Sequence, residues 1–578
     1  MMQKNKLLFI PLFLFIIFVS GLFSSRIMER LDRGVVAVWL GNNRVWISWR
    51  MFGTDSDNIA FNVYRNNTKI NSTPITNVTY FIDTQGSQTA SYCVKTVLNE
   101  QEVETSPSVT PWSSFYKRIN LQRPSGGVTP DGVSYTYSPN DASVGDLDGD
   151  GEYEIVLKWD PSNSKDNSQS GYTGNVYIDA YKLDGTFMWR IDLGINIRAG
   201  AHYTQFLVYD FDCDGKAELI CKTAPGTKDG TGSYLKTGPA ANDNDSADYR
   251  NSSGYILSGP EYLTVFRGVD GKEIITVNYV PERGNVSSWG DSYGNRVDRF
   301  LACVAYLDGV KPYAIFQRGY YTRMTLAAWE FTGSNLVLKW LFDSNTSGNS
   351  AAAGQGNHNL SVGDVDGDGK DEIIEGACAI DDNGTLMYAT GLGHGDAMHL
   401  GELDPDRSGF EVWEVHESAS ASYGAELHDA RTGQIIWGTY TGSDNGRGLA
   451  ADIDSRYRGY EMWSAAVGGV FNCKGQQIST NKPSINFRIY WDGDLLDEIL
   501  DGTVIDKWTG NGTTRLLTAY NYDAAANNGT KNTPCLVADI LGDWREEVIW
   551  RTDDDSGLLI FTTTAETDFR MYTLMHDP

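Results

Sequence analysis

Between Val144 and Pro161 the chain reads VGDLDGDGEYEIVLKWDP, with acids at Asp146, Asp148, Asp150 and Glu154 and a turn residue at Gly151. Carboxylates at alternate positions of a tight turn can converge on one hard cation such as calcium. An EF-hand would also need a bidentate Glu at loop position 12 and a helix on each side. Position 12 is Leu157, and the IVLKW after Glu154 is β-branched and aromatic, the composition of a strand. Calcium chemistry is therefore expected, in a loop that feeds a strand. The same grammar returns with Asp210, Asp212, Asp214 and Glu218, and again with Asp364, Asp366, Asp368 and Glu372. Looser copies carry Glu402, then Asp452 and Asp454, then Asp492, then Asp539. Most of these loops read as staples of a scaffold. The cation ligands are sought among their acids, with Asp141 beside the first loop.

A second set of residues breaks that grammar. Five of the seven His lie between positions 358 and 428, in GNHN (His358), GHGDAMH (His394, His399), WEVHES (His416) and LHDA (His428). Imidazoles mixed with Asp and Glu suit zinc or manganese better than calcium, which prefers oxygen ligands. His399, His416 and His428 read as packing residues or supports for ligands. Two cations, Arg447 in GSDNGRG and Lys531 in AAANNGTKN, stand in Gly/Asn-rich loops, and loops on a rigid scaffold are where sites are built. Taken alone, an exposed loop Lys is usually just a solvated side chain.

The elements that must position these groups follow from the repeat. From Asp364 through Glu402, Asp452 and Asp492 to Asp539 the steps are 38, 50, 40 and 47 residues. From Asp210 to Asp364 the step is 154 residues, room for about three units, and YLDGVKPYAIFQRGYYTRM (Tyr306–Met324) looks like one eroded copy inside it. Hairpin sequences such as YKLDGTFMWRI from Tyr181 lie between the loops. Such periods, each carrying several short strands, predict the blades of a β-propeller, and the 393 residues from Asp146 to Asp539 fit about eight of them.

The rest of the chain agrees with an all-β secreted protein. Gly (61) and Trp plus Tyr (47) supply blade turns and strands. Lys4 and Lys6 precede an apolar run from Leu7 to Val19, which predicts a signal peptide over residues 1–25 and leaves no membrane span after its removal. Seven scattered Cys, an odd number, argue against a disulfide framework. Residues 28–112 hold short alternating strands such as VWISWR and ASYCVKTV, the texture of a fibronectin type III-like sandwich, and residues 118–578 hold the repeats. The formal charge of −28 excludes nucleic acid as a partner, because phosphate binding needs a basic field. A monomer is expected.

MERLDRG, the N-D-x-S-x-G-D-x-D-G-D-G-x-x-E run, GHGDAMH, VHE, GRG-x-x-A-D-I-D and N-G-T-K together resemble the rhamnogalacturonan lyases of polysaccharide lyase family 11. These secreted bacterial enzymes cut the rhamnogalacturonan I backbone of pectin, and the resemblance runs from Met28 to the last residue. It implies an eight-bladed propeller holding several calcium ions. It also implies substrate contacts at Asn140, Asp160, Asn528, Gly529 and Thr530, and an active-centre metal set of His358, His394, Asp396 and Glu417, with calcium as the ion. Arg447 and Lys531 fall where the family keeps cations critical for the reaction. One departure is the ending at MHDP, since the family continues for another strand or so.

Cleavage by β-elimination explains the need for such residues. The proton on C5 of galacturonate is only weakly acidic beside an ionised carboxylate, so a cation on that carboxylate and a base for the proton are both required. Lys531 is the first choice of base and Arg447 the partner of the carboxylate, although the two roles can be exchanged. Two rivals stand: a non-catalytic propeller that binds carbohydrate or protein, and a metal-dependent glycoside hydrolase, which would need a distinguishable pair of carboxylates. The short segment NCKGQQIST (472–480) shows no blocking insertion and favours endo action.

Overall fold

The computed structural model describes residues 26–529 and 531–576; the expected signal peptide over 1–25 and Thr530 lie outside them. The described residues form β-sheet throughout, relieved by four single-turn 3-10 helices. Two small antiparallel sheets come first. One pairs Val36–Gly41, Arg44–Ser48 and Tyr80–Asp83; the other pairs Thr68–Lys69, Ala60–Arg65, Tyr92–Leu98 and Gln101–Thr105. Ala37, Ile47, Trp49, Phe61, Val63 and Val94 fill the space between them.

Eight antiparallel sheets follow in sequence. Their first strands are Tyr137–Gly145, Phe206–Tyr209, Phe300–Ala305, Gly356–Gly363, Gly395–Gly401, Gly448–Ala451, Phe487–Ile489 and Leu536–Ala538. In seven of the eight the second strand opens on a buried glutamate: Glu154, Glu218, Glu372, Glu411, Glu461, Glu498 and Glu547. Each accepts backbone N–H bonds from the loop just before it, for example Glu154 from Leu147 at 2.7 Å and Glu372 from Val365 at 2.9 Å. The acid near loop position 9, visible in the sequence, is thus a backbone clamp that ties the acidic turn to the strand it feeds. In the third sheet Tyr313 stands opposite Ala305 in that place, and its hydroxyl donates to Asp308 at 3.0 Å.

The step from Asp210 to Asp364 holds only one intervening sheet, the third, and the space expected for a further unit goes to two long connections. These are residues 224–261 inside the second sheet and 279–299 after it.

Eight apolar cores lie between neighbouring sheets. Val156, Ile178 and Trp189 of the first meet Val208, Leu219 and Phe266 of the second, and so on round to Ile549 and Ile560 of the eighth against Ile155 and Trp159 of the first. Burying a side chain of this size is worth about 1.5–3 kcal/mol, so each sheet is held mainly by its two neighbours. The series closes on itself: Ala142 of the first sheet donates its N–H to Cys535 O at 3.0 Å, just ahead of the eighth. The outermost strand of the eighth sheet is Tyr116–Asn120, drawn from before the first sheet and paired from Asn120↔Gly557 to Tyr116↔Phe561. Residues after Phe561 run back over the N-terminal sheets, where Thr573 Oγ1 donates to Asp539 at 2.7 Å.

Glu375, fully buried in the fourth sheet, accepts from Gln317 Nε2 at 2.5 Å, and burial pushes its carboxyl up to about 8 against that bond. An acid that ionises near 4.5 when unfolded but near 8 when folded favours the fold below the lower value, and this stability is lost as pH rises between the two. Glu375→Gln is expected to raise Tm by several degrees at pH 8 and little at pH 5; equal shifts at both pH values in thermal melts would refute this account.

Candidate active site

Each first strand starts at one end of the ring of sheets and finishes at an acidic loop at the other. In the fourth sheet His358 lies near the start of its strand and Asp364 just past its end, six residues on, or about 20 Å along an extended chain. The beginnings of six such strands converge on an open cleft of about 710 Å³. It takes Asp141 from the first sheet, His358 from the fourth, Asp396 and His399 from the fifth, and Arg447 from just before the sixth. Arg488 comes from the seventh and Lys531 from the connection into the eighth. Residues spread over 390 positions of sequence thus share one wall because their strands start side by side.

His358 is held on both ring nitrogens. Its Nε2 lies 3.1 Å from Asp396 Oδ1 and 3.1 Å from the Tyr321 hydroxyl, and its Nδ1 lies 3.2 Å from the Tyr320 hydroxyl. His394 Nδ1 is 2.6 Å from Gly356 O, which places the proton there and leaves Nε2 as a lone pair. That Nε2 is buried without a hydrogen-bond partner, 3.9 Å from Glu417 Oε2. Burial lowers the His394 pKa to about 4, so the ring stays neutral and able to ligate. Burial alone would raise Asp396, but the hydrogen bond and charge of His358, with smaller help from His394 and Lys531, hold it below its ordinary value. Ligand atoms of His358, His394 and Asp396 all lie within 4.8 Å of one another, the spacing of a set that can share a cation.

Nothing in the sequence marks Tyr320 and Tyr321 as site residues, since the GYY that carries them reads as the tail of the eroded repeat. Tyr321 stacks against His394 with ring centroids 4.0 Å apart and receives the Arg296 guanidinium 3.9 Å from its own ring centre. Arg296 comes from the long 279–299 connection, whose length was the only signal of a special role.

The residues expected at the substrate gather at the rim. Asn140 Nδ2 lies 3.5 Å from Asn528 Oδ1, and Asn528 and Gly529 both take positive φ (61° and 58°) in the turn that carries Lys531. Asp160 accepts from Ser164 Oγ at 2.8 Å, and burial raises its pKa. Asp141 pairs with the buried Lys158 ammonium at 2.5 Å.

The acidic loops, at the far end, are not alike. Asp146, Asp148 and Glu154 converge, as do Asp210, Asp212 and Glu218, and Asp364, Asp366 and Glu372. The third acid of each triplet, Asp150, Asp214 or Asp368, caps its own turn by accepting the N–H two residues on at 2.9–3.0 Å. Asp148 Oδ1, Glu372 Oε1 and Glu461 Oε1 are buried with no partner, as expected of oxygens built for a cation. Two loops instead receive an ammonium from the third strand. Lys507 lies 2.7–2.8 Å from Asp492, Asp494 and Glu498. Lys182, opposite Glu154 in the ladder, lies 2.6 Å from Asp148 and 3.0 Å from Asp150. Asp454 is bound by Arg456 at 2.5 Å and Asp452 accepts no bond of this kind, its pKa raised to about 6 by burial. Asp539 clamps Thr573 and Leu574 and keeps one buried oxygen unpartnered.

The segment 472–480, read above as bearing on cleft access, turns at the acidic-loop end: Lys474 pairs with Asp404 at 2.5 Å. Its short turn cannot border the cleft, and it carries no weight for endo action.

Residues 116–578 match the family model for the rhamnogalacturonan lyase family 11 C-terminal domain, and residues 26–112 match that for the rhamnogalacturonan I lyases β-sheet domain. The chain belongs to rhamnogalacturonan lyase family 11. It is therefore an enzyme of the polysaccharide lyase class. Over its whole length it is 56% identical to the rhamnogalacturonan endolyase YesW of Bacillus subtilis strain 168, covering 93% of that protein. It is 54% identical to the exolyase YesX of the same strain over 96% of the chain and 92% of that protein. The crystal structure of YesW superposes with a TM-score of 0.93 at 58% identity, covering 96% of this chain and 94% of that one. A family 11 lyase from Bacillus licheniformis gives 0.92 at 61% with the same coverage.

If the two tyrosines fix the His358 ring, Tyr321→Phe should lower kcat about 10-fold with Tm nearly unchanged, the usual cost of losing a hydrogen bond behind a ligand. An unaltered kcat would show that Asp396 and Tyr320 suffice to hold the ring.

Proposed function

We propose that the chain cleaves the rhamnose–galacturonate bonds of rhamnogalacturonan I by β-elimination, acting within the polymer and requiring calcium. The observation that carries this reading is the meeting of Arg447 and Lys531 with His358 and Asp396 in one cleft. Arg447 pairs with the galacturonate carboxylate through its planar fork and holds the charge that develops on it. Lys531, as the free amine, takes the proton from C5. The electrons of that bond form the C4=C5 double bond, and the C4–O bond breaks to release the rhamnosyl oxygen, which then picks up a proton. Asn140, Asp160 and Asn528 grip the neighbouring sugars at the rim, and Gly529 lets the backbone of that turn come close to them. His358, His394, Asp396 and Glu417 would hold the active-centre ion. When bound, calcium supplies positive charge that makes the galacturonate carboxylate a better electron sink.

The same reading takes the eight sheets as an eight-bladed propeller over residues 118–578, supported by their sequential order and closure through Tyr116–Asn120. It takes residues 28–112 as a fibronectin type III-like sandwich, supported by strand orders of three and four across one core. The acidic loops hold further calcium ions, the protein is a secreted monomer after removal of residues 1–25, and pectin is its partner. Endo action is favoured by the low rim over the fifth to seventh sheets, where connections such as 465–469 and 502–503 are short.

Incubation with rhamnogalacturonan I should raise ultraviolet absorbance from the new double bond, and homogalacturonan should not; saturated products would sink the lyase reading. Lys531→Ala should lower kcat at least about 100-fold with melting unchanged, and Arg447→Lys should fall about 10-fold or more despite the retained charge. Near-normal turnover in both would remove the chemistry from this cleft.

Chelation should lower Tm by more than about 10 °C, since every ion that binds only the folded chain stabilises it. Asp212→Asn should also lower the calcium content by one ion per chain, whereas Asp492→Asn should leave it unchanged because Lys507 already serves there. Equal calcium losses in the two variants, read by elemental analysis, would count against this division of the loops.

A further inference from the structure

Behind the cleft, four fully buried titratable side chains face one another on the fifth sheet: Glu414, His416, Glu426 and His428. Glu414 stands directly opposite Glu426 in the ladder between Glu411–His416 and Ala425–Asp429, and His416 and His428 lie two residues from them on the same face. Two carboxylates opposed across a buried ladder repel strongly unless positive charge lies between them.

The donor atoms are oriented. His416 Nδ1 is 3.1 Å from Gly393 O, which puts a proton on Nδ1 and turns Nε2 towards the carboxylates. Against burial, Glu414 and Glu426 raise the ring to about 9, so an ion bound there takes the place of the Nε2 proton. That Nε2 lies 3.5 Å from Glu426 Oε1 and 3.9 Å from Glu414 Oε2. These separations are too long for hydrogen bonds, and neither His416 Nε2 nor Glu414 Oε2 has a partner although both are buried. Donor atoms that share a tetrahedral ion at about 2.0–2.2 Å stand about 3.3–3.6 Å apart, so the pair at 3.5 Å already fits and the pair at 3.9 Å must close by a few tenths of an ångström. The surrounding atoms are held: Glu414 Oε1 accepts from Asn357 at 3.0 Å, and His428 Nε2 lies 3.1 Å from the Tyr388 hydroxyl. His428 Nδ1 lies 2.9 Å from Glu426 Oε1 and 3.2 Å from its Oε2, leaving Oε1 a further lone pair. Room for Glu414 is kept by glycine, since a Cβ at Gly376 or Gly395 would fall 2.4 or 2.3 Å from its Oε1.

We propose that Glu414 Oε2, His416 Nε2 and Glu426 Oε1 form a closed site for a divalent transition-metal ion of the zinc, manganese or cobalt class. One imidazole and two carboxylates closed off from solvent fall short of the roughly six to eight oxygens calcium takes, which an open cleft can complete with water and substrate, and so favour such an ion over calcium. His428, steadied by Tyr388, holds Glu426 in position as a hydrogen-bonding support. The site is separate from His358, His394 and Asp396 and independent of what those residues bind. It nevertheless braces them: Asn357 precedes His358, Gly393 precedes His394, and His416 precedes Glu417. An ion there pins the three backbone segments that carry the cleft's own ligand set.

Anomalous diffraction at the cobalt edge tests this, with crystals of protein produced in cobalt-supplemented medium and then dialysed against calcium. A peak inside the triangle of Glu414, His416 and Glu426 is expected in the wild type, and it should persist in His394→Ala. Glu426→Gln should lose it and one cobalt ion per chain. No peak there in wild-type crystals, or density without anomalous signal at that edge, would overturn the proposal and leave the cluster an imidazolium–carboxylate network. The wild-type and His394→Ala arms decide the matter even if Glu426→Gln does not fold.

Discussion

Seven of the eight repeats depend on burying a glutamate at the start of the second strand. Its carboxylate ties the acidic loop to the strand through backbone N–H groups, but a buried negative charge is costly until something neutralises it. The residue opposite it on the third strand decides how that is done. Lys182 and Lys507 reach back into the loop; Thr562 donates to Glu547 at 2.8 Å; Arg407 reaches Glu411 at 3.2 Å from within its own loop. Arg267 faces Glu218 in the ladder yet turns away to Asp270, and Glu218 is pushed up to about 9 by burial. Glu372 and Glu461 each keep an oxygen unpartnered. One backbone device thus has several charge solutions. A basic side chain does not always complete the work, since Asp148 Oδ1 stays unpartnered beside Lys182 and Glu461 Oε1 does so in the loop of Arg456.

The direction of the first strands separates this device from the chemistry. Loops and cleft lie at opposite ends of the same strands, so a cation bound in a loop stiffens a strand without touching substrate. The cleft residues gain their order from that stiffness: His358, Asp396 and Lys531 need neighbouring strand starts to stay fixed relative to one another. The side chains around them take the rest of the load, with Tyr320 and Tyr321 packed against both histidines and Arg296 over the Tyr321 ring.

This division explains what could be read from the sequence. Acids at fixed spacing before apolar runs are local signals, and they survive even in WDGDLLDEILDG, so the eight units were visible except where long connections stretch the period. The motifs around His358, His394, Arg447 and Lys531 were visible as breaks in that pattern. Contacts made across a ladder were not. Nothing near Asp492 announces Lys507, and nothing in WEVHES or LHDA shows that His416 and His428 share a face with two opposed glutamates. The turn at 473–476 misled for the same reason, since a hairpin's length does not say at which end of the sheet it turns.

The two long connections put the same point in terms of the substrate. Both 224–261 and 279–299 join strands at the cleft end of the second and third sheets, so they build height on one side of the opening, while the fifth to seventh sheets are linked there by short turns. The first strands of the second and third sheets are also the ones that contribute nothing to the cleft wall. Their place is taken by Tyr320 and Tyr321, which pack on the histidines from the high side, with Arg296 of 279–299 over the Tyr321 ring. The two flanks of the cleft end therefore differ, one raised on long connections and the other closed by short turns. Relatives 56% and 54% identical to this chain are named an endolyase and an exolyase, so overall identity does not separate the two modes of action, and the connections at the cleft end are where chains sharing these strands have room to differ.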